Sequence, residues 1–197
     1  MSLRDWINID FFFNLNLLFK LQNAIPDFEV SSVPDIRNIL NERNIEAVIL
    51  DIDQTLVPFG ESQISDEVRD FTRWLVARVN LCLLSNVPRT NARMKRIREI
   101  ETQLGIKAIF PDKRKPSPLA FQAALEYLRS HPSKTLMVGD RIFTDIMGAN
   151  HLGILTVLVP PIYPKTDPFL MVKLPRWLEP PYLKFAKWRK NQEKILD

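Results

Sequence analysis

The sequence has few cysteines and few glycines, the residues that form disulfide bonds and flexible linkers. Its one cysteine, Cys82, allows neither an internal disulfide nor a cysteine zinc cluster, which suits a reducing compartment. Five glycines in 197 residues exclude glycine-rich linkers and collagen-like repeats. With 46% hydrophobic and 25% charged residues the composition is that of a globular protein, and the length fits one domain with appendages.

Long hydrophobic runs are also missing. Residues 1–20 are rich in apolar side chains, but Arg4, Asp5 and Asp10 interrupt them, whereas a membrane-spanning helix needs about 20 apolar residues. The early acidic residues also argue against a secretory signal or a transit peptide. We therefore expect residues 1–44 to form an N-terminal arm that either packs on its own domain or touches a membrane surface.

Positive charge is concentrated at the end of the chain. The net charge is +4, and residues 160–197 hold eight Lys/Arg against four Asp/Glu, so the remainder is balanced. The tail (residues 161–197) is basic, aromatic and rich in proline. A helix starting near Pro181 would bring Tyr182, Phe185 and Trp188 towards one side, with lysines able to reach lipid phosphates. The alternative is that these rings pack on the domain and the lysines face water.

Between residues 45 and 160, short apolar runs alternate with amphipathic stretches. The runs predict five buried strands at residues 45–50, 79–84, 107–110, 135–138 and 155–159. Ser65 and Ser117 are predicted helix caps, Pro88 is predicted to start the next helix, and Arg96 on that helix is expected to face outward. This pattern predicts an α/β fold with a doubly wound, Rossmann-like parallel sheet and helices on both faces.

Reactive groups in such sheets gather just beyond the carboxyl ends of the strands. At these positions the sequence has polar residues in four places. A single aspartate at such a position is often only a cap or turn residue. Polar groups at four such positions in order are difficult to explain by a purely structural role. They are Asp51, Asp53 and Thr55 after the first strand, Ser85 and Asn86 after the second, Lys115 before a helix, and Gly139, Asp140 and Asp145 after the fourth.

This series resembles the four motifs of the haloacid dehalogenase (HAD) superfamily over residues 45–160. The signature D-x-D-x-T begins at Asp51, and Ser85 stands for the hydroxyl residue of the second motif. Lys115 is the best match to the third motif, with Lys113 as the alternative. Gly139 opens the fourth motif, G-D-x(4)-D. Dehalogenases generally lack the second aspartate of the first motif, so its presence here points to phosphate chemistry.

The resemblance implies a role for each matching residue. Asp51 would be the nucleophile that forms an aspartyl-phosphate, and Asp53 the general acid and base. Mg²⁺ would be held by Asp51, by the main-chain carbonyl of Asp53 and by Asp140. Other residues would bind phosphate or orient these groups. Ser85, Asn86 and Lys115 are the expected phosphate ligands, and Thr55 and Asp145 the expected orienting residues.

The spacing leaves no room for a separate cap domain. About 30 residues separate Thr55 from Ser85 and Ser85 from Lys115, and the predicted helices and strands use both intervals. An open site suits a bulky substrate such as a lipid head group. A closer resemblance, to the capless phosphatases that include phosphatidylglycerophosphate phosphatases, rests on residues 26–28, 33–36, 51–58 and 139–150 and on Arg176 with Glu179. Gln54 departs from it, since many relatives have an acid or asparagine there.

The closer resemblance implies a Mg²⁺-dependent phosphatase that converts phosphatidylglycerophosphate to phosphatidylglycerol. Its expected partner is an anionic phospholipid surface, with the protein in the cytoplasm and attached peripherally to a membrane. A soluble phosphatase acting on a small sugar phosphate or nucleotide is the alternative. A non-enzymatic or nucleic-acid-associated protein is a third reading, but no nucleic-acid motif is found and we expect no such partner. The oligomeric state stays open.

Overall fold

A parallel β-sheet of six strands, in the order β1-β6-β5-β2-β3-β4, forms the centre of the protein. The computed structural model describes residues 21–87 and 89–196, so the expectations for residues 1–20 and for Pro88 lie outside the described residues. All neighbouring strands run parallel, which confirms the predicted class. The strands are β1 (Phe28–Glu29), β2 (Ala47–Leu50), β3 (Asn80–Leu84), β4 (Ala108–Ile109), β5 (Thr135–Gly139) and β6 (Leu155–Leu158).

The predicted number of five strands was wrong, because β1 adds a sixth strand at one edge. It pairs with β6, with Phe28 opposite Val157. The backbone N–H of Asp27 donates to the Thr156 hydroxyl at 3.1 Å, and its carboxylate accepts from the Thr156 N–H at 2.8 Å. A strand of two residues is too short to show either an apolar run or an alternation, so no local pattern predicted it.

Helices cover both faces of the sheet, as the doubly wound arrangement requires. Successive side chains of a strand point to opposite faces. In β2, Val48 and Leu50 belong to the apolar cluster under the helices Asp66–Val76 and Asn91–Leu104, while Ala47 and Ile49 belong to the one under the helices Pro118–Leu128 and Met147–His151. The helices are α1 (Ile36–Glu42), α2 (Asp66–Val76), α3 (Asn91–Leu104), α4 (Pro118–Leu128), α5 (Met147–His151) and α6 (Leu174–Leu196).

Two predicted helix starts, at Ser65 and Ser117, are confirmed. The Ser65 hydroxyl accepts a hydrogen bond from the Val68 N–H at 3.3 Å, which caps α2. Helix α4 begins directly after Ser117. Helix α3 begins at Asn91.

The tail packs against the domain through α6. This helix begins at Leu174 and continues through two prolines, so the predicted start near Pro181 was wrong. Tyr182 contacts Phe143 edge to face, with ring centroids 5.2 Å apart, and Ala186 is buried in the same apolar cluster. Of the three rings expected on one side of the helix, only Phe185 and Trp188 are exposed and stacked on each other.

The described chain carries no cap domain, as predicted. Only α2 lies between β2 and β3, and only α3 lies between β3 and β4. The carboxyl edge of the sheet is therefore bordered by loops and by the start of the tail. Within residues 21–87 and 89–196, no helix has the length and apolar character needed to cross a membrane.

Candidate active site

Asp51 and Lys115 form a buried ion pair at the carboxyl end of β2. The Lys115 ammonium lies 2.6 Å from Asp51 Oδ1 and 2.7 Å from Asp145 Oδ1, with only 2% of its side chain exposed. Burial alone would lower the pKa of Lys115, but Asp145 and Asp51 raise it above its ordinary value, so the group is cationic. The structure places Lys115 at this point, whereas the alternative Lys113 is exposed.

Asn86 fixes the backbone of Lys115. Its side-chain amide donates to the Lys115 carbonyl at 2.8 Å and accepts from the Lys115 N–H at 2.8 Å. Asn86 is one of the expected phosphate ligands, and its side chain holds the backbone of Lys115 in place. Ser85, the other expected phosphate ligand of this loop, follows β3 directly and is half-buried.

Three buried carboxylates stand close together beside this lysine. Asp51, Asp140 and Asp145 each offer an oxygen, and the three oxygens lie within 4.8 Å of one another. Burial raises the pKa of Asp51 to about 8, against the lowering effect of Lys115. Burial likewise raises the pKa of Asp140 to about 6, against the lowering effect of Arg176. Such a cluster favours a bound cation, and its all-oxygen donor set suits Mg²⁺.

Asp145, an expected orienting residue, contacts Lys115 at the centre of the site. Its Oδ2 accepts from the Arg141 backbone N–H at 3.1 Å while Oδ1 faces Lys115. Gly139 makes this approach possible, because a Cβ atom there would lie 2.4 Å from Asp145 Oδ2. The Thr55 hydroxyl is 3.4 Å from Asp140 Oδ1, consistent with an orienting role.

Asp53 stands apart from the carboxylate cluster. Its two oxygens lie 2.6 and 3.2 Å from the Arg96 guanidinium, and Oδ1 accepts from the Gly60 N–H at 3.0 Å. The expectation that Arg96 faces outward was wrong, since 13% of its side chain is exposed. Arg96 also donates to the Glu61 carbonyl, so it ties α3 to the loop that follows Asp53.

Charged side chains of the tail also contact the site, although they lie outside the four sequence motifs. Arg176 lies 2.6 Å from Asp140 Oδ2 and 3.0 Å from Asp167 Oδ2. Glu179 pairs with Arg141 at 2.9 Å. Gln54, which has a left-handed backbone (φ 66°), donates to Asp167 Oδ1 at 2.6 Å. The resemblance included Arg176 and Glu179, but nothing local in the sequence marked Asp167.

These contacts assemble the groups that phosphoryl transfer needs at one edge of the sheet. Asp51 is held beside an ammonium and two further acids, and Asp53, two residues later in the same loop, is fixed by Arg96. A phosphate bound here would lie beside the Lys115 ammonium and beside the carboxylates that can hold a cation. The arrangement can therefore cleave a phosphate ester.

Comparisons with known proteins point to the same chemistry. The chain matches the family described as mitochondrial PGP phosphatase over residues 12–162. It is 30% identical to probable phosphatase YqeG of Bacillus subtilis (strain 168), over 62% of this chain and 69% of that protein. It is 28% identical to phosphatidylglycerophosphate phosphatase 1, chloroplastic/mitochondrial, of Arabidopsis thaliana, over 84% of this chain and 49% of that protein, and so spans about half of that relative.

The fold also has a counterpart among solved structures. A HAD-like family hydrolase from Porphyromonas gingivalis superimposes with a TM-score of 0.50 at 16% identity. The match covers 69% of this chain and 98% of that one. It confirms the HAD-type arrangement of the sheet.

Proposed function

Because the chain belongs to the mitochondrial PGP phosphatase family and is a HAD-superfamily phosphoric monoester hydrolase, we propose that it hydrolyses phosphatidylglycerophosphate to phosphatidylglycerol at a membrane surface. The observation that carries the proposal is the buried Asp51–Lys115 pair beside two more carboxylates, at a sheet edge without a cap domain among the described residues. An uncovered site can receive a head group whose acyl chains stay in the bilayer.

The proposed reaction proceeds in two displacements. A carboxylate oxygen of Asp51 attacks phosphorus, the bond to the lipid oxygen breaks, and Asp53 gives its proton to the departing alkoxide. Asp53 then takes a proton from water, which attacks the aspartyl-phosphate and releases inorganic phosphate and the Asp51 carboxylate. Lys115 and Ser85 stabilise the charge on the transferring oxygens. Mg²⁺, held by Asp51, the Asp53 carbonyl and Asp140, would supply further charge neutralisation when bound.

A substrate panel tests this function directly. Phosphate release is measured with phosphatidylglycerophosphate vesicles, sugar phosphates and nucleotides, each with Mg²⁺ and with excess chelator. We expect the lipid phosphate to give the highest kcat/KM. We also expect chelation to abolish turnover, because the chelator removes the hard cation that the carboxylate oxygens would hold. A preference for a soluble phosphate would favour the alternative function, and full activity in chelator would contradict the cation site.

Asp53→Asn should reveal the general acid through its dependence on the leaving group. General acid catalysis contributes about 10²–10⁴-fold, mostly where the leaving group is poor. We expect a large loss with an alkyl phosphate and a small loss in the first displacement with p-nitrophenyl phosphate, both measured by rapid quench. Asp70→Asn is the matched control, since Asp70 forms an exposed ion pair with Arg73 on α2. Equal losses with both substrates would argue against the acid role of Asp53.

The tail offers the proposed membrane contact. It exposes large apolar side chains, and it reaches the site where Arg176 contacts Asp140 and the Ile162 N–H donates to the Gln54 carbonyl at 3.0 Å. Lys165 and Lys184 are exposed among them. Each basic residue near an anionic surface contributes about 1 kcal/mol. The exposed apolar residues of the tail are Ile162, Tyr163, Phe169, Leu170, Leu174, Trp177, Leu178, Phe185 and Trp188.

Replacing Trp177, Phe185 and Trp188 together by alanine should weaken binding to anionic vesicles. All three rings are about half exposed, so their loss should leave the domain folded. We expect less sedimentation with vesicles and a higher KM for lipid phosphate, with turnover of p-nitrophenyl phosphate unchanged. Val76 and Tyr127, exposed where α2 and α4 end at the opposite edge of the sheet, give a matched alanine control. Unchanged vesicle binding would remove the tail from the membrane contact and favour a soluble substrate.

A further inference from the structure

The carboxylate of Asp140 is held from the tail. Arg176 Nη2 lies 2.6 Å from Asp140 Oδ2, and the Thr55 hydroxyl lies 3.4 Å from Oδ1. The Asp140 side chain is 1% exposed and that of Arg176 15% exposed. The guanidinium and the Thr55 hydroxyl thus hold the two oxygens of a buried carboxylate that forms a cluster with Asp51 and Asp145.

Arg176 is itself fixed by a second buried acid. Its Nε lies 3.0 Å from Asp167 Oδ2, and the Asp167 side chain is fully buried. The Asp167 Oδ1 atom accepts from the Gln54 side chain at 2.6 Å, and Gln54 follows Asp53 in the loop after β2. A continuous chain of contacts therefore runs from the Asp51–Thr55 loop through the tail to Asp140.

We propose that Arg176 is a positioning residue that orients Asp140 for the catalytic cation and thereby couples cation binding to docking of the tail. The proposal rests on the cation site of the proposed function and is independent of the lipid substrate. Asp167 neutralises the charge of Arg176, so the pair brings little net charge to the carboxylate cluster. We therefore expect the orientation of the Asp140 carboxylate to outweigh the repulsion between the guanidinium and the cation. The coupling is reciprocal. If docking of the tail raises the cation affinity by some factor, then cation binding raises the equilibrium constant for docking by the same factor.

The sign of the change in affinity separates orientation from simple electrostatics. Removing a positive group beside a cation site would tighten cation binding if charge alone mattered. Removing a residue that orients a ligand weakens binding, typically by about 10–100-fold. The double variant Arg176→Met/Asp167→Asn removes one positive and one negative charge, so charge alone predicts little change in cation affinity, whereas loss of orientation predicts weaker binding.

Binding of Mn²⁺ to the full chain, followed by electron paramagnetic resonance, measures this change. We expect the double variant to raise the Mn²⁺ Kd about 10–100-fold, and Arg176→Lys to fall between it and the wild type, because lysine keeps the charge but loses the planar fork. Arg189→Met is the matched control on α6, where Arg189 forms an exposed pair with Glu193. An unchanged or lower Kd in a folded double variant would overturn the proposal.

Hydrogen exchange gives the reciprocal measurement. Mg²⁺ should slow amide exchange over residues 163–179 in the wild type and have no such effect in Asp140→Asn. Exchange in the tail that ignores Mg²⁺ while the wild type binds Mn²⁺ would disprove the coupling and leave the phosphatase function intact. A wild-type protein that binds no Mn²⁺ would overturn the cation site and this inference with it.

Discussion

Asp51→Asn is expected to abolish turnover while the protein stays folded. The substitution keeps the shape of the side chain and removes the nucleophilic oxygen, and the loss of a nucleophile in a hydrolase is on the order of 10⁶-fold. Lys115 retains its 2.7 Å contact with Asp145 in this variant. Because Lys115 keeps this partner and the side chain at position 51 keeps its shape, we expect the variant to stay folded.

Two measurements check this result. Urea unfolding reports the stability, and trapping of the acid-stable phosphoenzyme formed from a radiolabelled phosphate ester reports the covalent intermediate. Asp66→Asn is the matched control, because Asp66 is an exposed acid in the first turn of α2. Substantial activity or phosphoenzyme in Asp51→Asn would disprove the role of Asp51 as nucleophile.

Lys115→Met is expected to lower both turnover and stability. A cation placed on transferring phosphoryl oxygens contributes about 10³–10⁵-fold to kcat. The same lysine separates Asp51 from Asp145, and breaking a buried ion pair costs about 3–5 kcal/mol. Since a divalent cation would replace part of the lost charge, Mg²⁺ should restore more stability to this variant than it adds to the wild type.

The matched control is Lys113→Met, which removes an exposed lysine two residues earlier. Its stability should stay within about 0.5 kcal/mol of the wild type, and most of its turnover should remain. Both kcat values are compared at a temperature and Mg²⁺ concentration at which circular dichroism shows folded protein. Near-normal kcat in folded Lys115→Met, or an equal loss in Lys113→Met, would move the phosphate-stabilising role away from Lys115.

The motif residues could be located from sequence because each follows a strong local pattern. Asp51 ends a run of apolar residues that is buried on both faces, and Asp140 follows another such run. Parallel strands bring these ends to one edge, so the spatial cluster follows from the alternation alone. Lys115 was singled out by its position before the cap of α4, although its hydrogen bonds with Asn86 were not foreseen.

Contacts between distant elements could not be read in the same way. Arg96 and Arg176 look like ordinary surface residues of amphipathic helices, and their partners lie 43 and 36 residues away. Prolines normally end helices, which made Pro180 and Pro181 appear as a boundary. Contacts on both sides of the prolines, by Glu179 with Arg141 and by Tyr182 with Phe143, outweigh the local preference. The edge strand β1 is too short to carry a pattern.

The position of Arg176 in the chain has a consequence for biosynthesis. Synthesis delivers the sheet first, since β6 ends at Leu158, and the residue that holds Asp140 follows later. A nascent chain released early could complete its sheet and still hold Asp140 without its guanidinium partner. Domains fold from the N-terminus as they emerge from the ribosome. Phosphatase activity should therefore appear only after the tail has been synthesised, later than most of the fold.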